Sequence, residues 1–187
     1  MGDDSMQDVQ FIENRIQFHK YLFRASRMYP NGSVASEDIS EILITRFPPE
    51  VRLKSDEVLF VSAVHKESLE MFAKSNKIPI VSRVDTWSFI CEEFLDTEFS
   101  DEVKEQVYQL LENEGLDRNF VKETRQFLYN PMMAYNSIMW DWAHLGLYDV
   151  LMAVSGQFPY GEKVKLTEEA FHDFYWRAMK LAMNERE

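Results

Sequence analysis

Apolar positions in this chain recur mostly at intervals of three and four, a spacing that predicts about eight helices. A first helix is expected over 7–28, where Phe11, Ile12, Ile16, Phe18, Leu22, Phe23 and Ala25 cover more than half its circumference. Pro30-Asn31-Gly32 is the turn signal that closes it. Ser36 caps a short second helix carrying Ile39, Ile42 and Leu43, which Pro48-Pro49 ends. A third runs over 55–74, although 58–64 also has strand character, and the β-branched stretch 78–84 reads as an extended connection. Asp85, Ser100 and Asp117 each open a further helix, and Gly115 ends the second of these. Phe120, Val121, Thr124, Phe127 and Leu128 form one side of the third. Thr167-Glu168-Glu169 starts the last helix, with Ala170, Phe171, Phe174, Tyr175, Ala178, Leu181 and Ala182 on a clean apolar face.

The stretch from Pro131 to Gly156 is apolar nearly all round. Proline is tolerated in a first turn and glycine ends a helix, so both ends carry the right punctuation. Its polar residues Ser137, Asp141, His144 and Tyr148 fall within about a 60° sector at roughly 100° per residue. A helix of this kind belongs at the centre of a fold. The expected architecture is therefore all-α, a helical bundle forming a single domain of about eight helices around a central apolar helix over 131–155. The domain spans 7–183, with a disordered leader over 1–6 and a frayed C-terminus over 184–187.

The polar stripe has two readings. It is either the helix's window to solvent or a buried polar site. The first helix offers a counterpart, because Arg15 and His19 are i,i+4 neighbours inside its broad apolar face and can meet a carboxylate together. Asp141 is the expected partner. As architecture, Arg15, Asp141, His19 and His144 make a buried ionic network that sets how two helices pack. As chemistry, His144 is a general base oriented by Asp141, His19 a second acid/base, and Arg15, Ser137 and Tyr148 bind an anionic ligand.

Asp141-x-x-His144 and Glu169-x-x-His172 both have metal-ligand spacing on a helix. Glu169 and His172 lie opposite the apolar face of the last helix, so they are expected in solvent. The carboxylates of Glu92, Glu93, Asp96 and Glu98 lack the glycine and alternation of a calcium loop. No metal site is assigned, and the cofactor is unknown.

Thirty-two acidic against twenty basic residues give a formal charge of −12. Such a surface repels phosphate backbones and anionic lipid, so neither nucleic acid nor a membrane surface is an expected partner. Asp141, His144 and Asp149 interrupt the most apolar region, which argues against a spanning helix. Cys91 is the single cysteine and sits among apolar neighbours, so it reads as a buried hydrophobe of a cytoplasmic protein. Glycine-rich phosphate loops, Gly-x-Ser-x-Gly, His-Glu-x-x-His and Cys-x-x-Cys are all missing. The expectation is an acidic interaction or regulatory protein acting through protein–protein contacts, with a protein partner or a homodimer. The alternative is a small all-α enzyme or ligand binder using the Arg/His/Asp cluster between the first helix and the 131–155 helix.

Overall fold

The N-terminal part of the chain pairs as strands rather than coiling into helices. In the computed structural model, which describes residues 8–95, 97, 99–141 and 143–184, β1 (Asp8–Ile12), β2 (Arg15–His19) and β3 (Gly32–Ala35) form one antiparallel sheet in that order. A second antiparallel sheet consists of β4 (Ile39–Leu43), β5 (Glu50–Leu53) and β6 (Val58–Phe60). Six helices come after them: α1 (Lys66–Ser75), α2 (Thr86–Cys91), α3 (Asp101–Asn113), α4 (Arg118–Met139), α5 (Leu147–Ser155) and α6 (Glu168–Met183). The fold is mixed α/β, not an all-α bundle of eight helices; the described residues hold six helices and two three-stranded sheets. The leader expected over 1–6 and positions 185–187 of the frayed end lie outside the described residues, as do Asp96, Glu98 and Trp142.

The helix expected over 7–28 is instead a hairpin and an irregular segment after it. Ile12 pairs with Arg15 across a two-residue turn whose first residue, Glu13, has a φ of 45°. Val9, Ile16 and Phe18 are buried, and the buried positions of β2 alternate with more exposed ones at a period of two. Over so few residues an alternating pattern also satisfies a helical wheel; β-branched and aromatic side chains then favour the pleated surface. The second expected helix is only a 3-10 turn at Ser36–Asp38 leading into β4. Within the third, the strand character of 58–64 prevails at β6, and α1 starts only at Lys66.

The chain divides into two compact units: residues 1–83 with 174–183 and 187, and residues 84–173 with 184–186. The first contains both sheets, α1 and most of α6. Its aromatic core runs through Phe18, Tyr21, Phe23, Phe60 and Tyr175, with ring centroids 5.4–6.2 Å apart. Ionic groups are enclosed as well. Arg52 of β5 is 1% exposed and pairs with Glu50 at 3.1 Å and with Glu41 at 3.6 Å. Arg83 in turn grips Glu41 through two nitrogens, at 2.7 and 3.2 Å. Paired neighbours are what permits a guanidinium inside a sheet, shielded from water.

Glu57, fully buried, closes the irregular segment between β2 and β3. Its Oε1 accepts from the Ser26 hydroxyl (2.6 Å), the Tyr175 hydroxyl (2.9 Å) and the Arg27 N–H (3.2 Å). Oε2 is buried with no partner among the described residues. Burial pushes the Tyr175 hydroxyl well above its ordinary value, and Tyr21 and Glu57 add to this, so Tyr175 remains a donor. One carboxylate thus holds the Ser26–Arg27 turn, the β5–β6 hairpin and α6 together.

The second unit is helical, and its helices begin where their capping residues place them. Asp85 accepts from Ser88 N–H at 2.9 Å, Ser100 from Val103 at 3.4 Å and Asp117 from Asn119 at 2.7 Å. Helix α4 departs from expectation at its far end. It runs through Pro131 to Met139, where Trp140 adopts a left-handed conformation with φ 54°. The central helix expected over 131–155 therefore does not exist. Its first third belongs to α4, its last third is α5, and the described residues between them, 140–141 and 143–146, are not helical. Proline breaks one backbone bond in a helix interior, but the packing of buried α4 residues such as Val121, Leu128, Met132 and Tyr135 outweighs that loss. The buried face is also rotated from the expected one: Phe120 and Phe127 are exposed, while Arg125 points inward.

Replacing Glu57 by Ala should lower stability by about 3 kcal/mol, because three donors lose their acceptor at once. Denaturant unfolding would show this as a lower midpoint at unchanged slope. A loss below about 1 kcal/mol would mean that water reaches the three donors.

Candidate functional site

The turn between α4 and α5 gathers the polar residues of the helical unit. Asn136, buried on the last turn of α4, organises it with both ends of its amide. Its Nδ2 donates to the carbonyls of Phe94 (2.9 Å) and Asp141 (3.0 Å), and its Oδ1 accepts from Asp141 N–H at 2.8 Å. Asp141 then folds the next residues around its own Oδ1, which accepts from the N–H groups of Ala143 and His144, both at 2.9 Å. This places His144 Nδ1 3.2 Å from the Ser88 hydroxyl on α2.

Asp149 occupies the first turn of α5. Its Oδ2 accepts from Gly146 N–H at 2.8 Å, and its Oδ1 from the Tyr135 hydroxyl at 2.9 Å. A carboxylate at a helix start is favoured by both the free N–H groups and the helix dipole. Burial nevertheless raises its pKa, against the opposing pull of the Gly146 and Tyr135 hydrogen bonds and of His144. Burial likewise pushes Tyr135 up, with Asp149's charge adding to it. The Cys91 thiol is raised well above the ordinary range by burial, then by Asp149 and Asp85, which makes it inert. Gly146 permits the His144 ring to approach: a Cβ there would sit 3.2 Å from Nε2.

The sequence-predicted residues do not form one cluster. Ser137 is exposed on α4 and donates to its own helix at Ala134 O, while Tyr148 is half-buried on α5. Asp141 and His144 lie in the turn between, so the single-sector stripe dissolves with the helix that carried it. Arg15 and His19 are on β2 in the other unit, Arg15 exposed and His19 half-buried opposite Asp8. The helix–helix seam that was to join them to Asp141 has neither of its helices. Glu169 and His172 are exposed on α6. Among the described residues no group of three or more His, Cys, Asp or Glu is placed to hold a metal ion.

Sequence reasoning passed over Asn136, Tyr135, Asp149 and Ser88 as members of a site. Asp149 was legible, since an acidic residue three positions after a glycine suits a helix start; the pairings of Asn136 and Ser88 span up to 56 positions and carry no local signal. Chemically, Asp141 Oδ1 is taken by two backbone N–H groups, and the two oxygens of Asp149 by a hydroxyl and a backbone N–H. The Ser88–His144 contact is a hydroxyl beside an imidazole, the first half of an activated nucleophile. Among the described residues no carboxylate bonds the other ring nitrogen.

A second feature of this unit is Arg125, buried on α4. It donates to the carbonyls of Ile90 and Phe89, both at 3.0 Å, and to the Tyr108 hydroxyl at 3.2 Å. It pairs with Glu93 at 3.3 Å. The guanidinium groups of Arg125 and Arg118 both lie over the Tyr108 ring, 5.1 and 5.3 Å from its centre. Two open clefts of about 530 and 520 Å³ share Glu93, Tyr108 and Arg125 as a common wall. The first extends to Lys122, Gln126 and Tyr129, the second to Glu92, Phe99 and Lys104. Burial raises the Glu92 carboxyl, with Arg125 opposing.

No family model, curated protein or solved structure matches this chain.

Asp149 makes a pH-dependent contribution whose sign is set by its raised pKa. Unfolded, the carboxyl titrates near about 3.9; folded, it keeps its proton to higher pH. The folded state then binds more protons than the unfolded one, so this contribution to stability is full below about pH 4 and falls as pH rises through the folded pKa. Asp149→Asn should flatten that fall in unfolding curves collected between about pH 4 and pH 7, and parallel profiles for the two proteins would contradict it.

Proposed function

We propose that this chain acts through protein–protein contacts, its helical unit engaging a basic partner. The observation that carries this reading is how charge is divided. The helical unit contains nineteen acidic and seven basic residues, a formal −12, whereas the sheet-containing unit balances thirteen against thirteen. The whole net charge of the protein therefore belongs to one unit. A field of one sign on one body steers an oppositely charged partner and raises its association rate, and it weakens as salt is added. The same field works against nucleic acid and against a second copy approaching by this unit.

Other features fit. Asp141 Oδ1 in the α4–α5 turn accepts two backbone N–H groups, as architecture requires. No helix among the described residues is long and apolar enough to cross a membrane. A single buried thiol suits a reducing compartment, and the reading places the protein in the cytoplasm.

Affinity purification of the tagged full chain from its own cells, at about 0.1 M and about 1 M salt, tests the reading. It should recover proteins of basic composition that are lost at the higher salt. Lysine replacements at exposed Glu123 and Glu169 should reduce their recovery by about tenfold, since like charge then meets like. Partners that are acidic, or that are retained equally at both salts and by both proteins, would overturn it.

A further inference from the structure

Four of the helical unit's seven basic residues, Lys104, Arg118, Lys122 and Arg125, gather around Tyr108. Arg118 is engaged by Glu105 and Glu112. In the cleft that Lys104 lines, Glu92 and Glu93 balance Lys104 and Arg125. The other cleft, of about 530 Å³, sets Lys122 and Arg125 against Glu93 alone among the described residues. Its donors are underused. Lys122 makes no ion pair or hydrogen bond among the described residues. The Tyr108 hydroxyl accepts from Arg125 Nη1, and its own proton meets no acceptor among them. Arg125 is fixed through Nε and Nη2 on the Ile90 and Phe89 carbonyls, which leaves Nη1 for the cleft. There Nη1 holds one oxygen of Glu93, at 3.3 Å. Glu93 is the exchangeable member of this pair, because its side chain is 52% exposed and that of Arg125 only 10%. Water replaces what an exposed carboxylate loses, so the contact is given up at little cost.

We propose that this cleft binds a small hydroxylated carboxylic acid, whose carboxylate takes the place of Glu93 on Arg125. Glu93 itself shows which group the guanidinium accepts there. Arg125 Nη1 and the Tyr108 hydroxyl bond the ligand's carboxylate oxygens, and Lys122, three residues before Arg125 on the same helix, supplies a second charge. Gln126 and Asn130, four residues apart on α4, place amides along the rim, and an amide both donates and accepts, as ligand hydroxyls require. The cleft has the about 300–1,000 Å³ volume of small-molecule sites. The unit's formal −12 repels anions at a distance, so affinity rests on these short-range donors and is modest. Such a ligand binds independently of any basic partner of this unit.

D-Gluconate is the probe, titrated into the full chain at constant ionic strength and followed by the NMR signals of Arg125 Nε–H and of the Gln126 and Asn130 side-chain amides. These should shift saturably, with half-saturation on the order of 1 mM. Glu93→Gln removes the charge that competes for Arg125 and should tighten gluconate by about fivefold, since the competent form of the site is then populated more fully. A Glu93 that served structure alone would leave the affinity unchanged. Lys122→Glu should weaken gluconate by at least about tenfold, because like charge then faces the ligand. Both positions are exposed, so neither substitution disturbs packing. Binding that ignores both substitutions, or shifts confined to other residues, overturns the site. Equal shifts with sorbitol, which lacks the carboxylate, overturn the acid as the ligand. Inorganic phosphate that binds more tightly than gluconate overturns the carboxylic acid and puts a phosphate in its place. Absence of any saturable shift up to about 50 mM overturns the site altogether.

Discussion

A carboxylate with no exposure must be met by donors from its own fold, and in the sheet-containing unit Glu57 imposes that demand. Its Oε1 draws in a serine, a tyrosine and a backbone N–H from two segments far apart in the chain. Ser26 and Tyr175 are buried, so neither hydroxyl can leave without stranding the carboxylate. The segment between β2 and β3 has no ladder of its own to hold it. Hydrogen bonding to Glu57, together with Tyr21 N–H on Pro30 O at 2.8 Å, provides the restraint that regular structure would otherwise supply. The hairpins and the last helix assemble around this demand.

The helical unit solves the same problem with different groups. Arg125 satisfies the free carbonyls at the end of α2, Asn136 binds the chain leaving α4, and Asp149 caps α5. In each case a side chain reaches backbone that a helix end has left unpaired. The polar residues that look most like chemistry are thereby occupied with architecture. At its surface this unit carries an excess of carboxylates and, on and just beyond α4, exposed Tyr129, Met133 and Trp140.

The two units also differ in how they treat charge. In the sheet-containing unit Arg46, Glu50, Arg52, Glu41 and Arg83 alternate in a chain of ion pairs, largely shielded from solvent. Mutual neutralisation allows those groups to be buried. In the helical unit most of the described carboxylates are exposed and outnumber cations, so their field extends outward into solvent.

Helix starts were legible in the sequence wherever a short polar side chain caps its own backbone, as at Asp85, Ser100, Asp117 and Thr167, because the partners lie within three residues. The apolar face of α6, the burial of Cys91 and the solvation of Glu169 and His172 came from helical spacing for the same local reason. The strands were not legible. A run such as Val9, Phe11, Ile16 and Phe18 fits both periods, and only its partner strands decide between them. Nor was the break at Trp140: it depends on Asn136 bonding to Phe94, forty-two positions away. Composition and local capping by themselves determined the acidity of the protein and where its later helices begin. Tertiary structure alone decided that the acidity falls on one unit, that Arg15 and His19 stand on a strand, and that Asp141 holds a turn, because each rests on contacts between segments that sequence spacing does not encode.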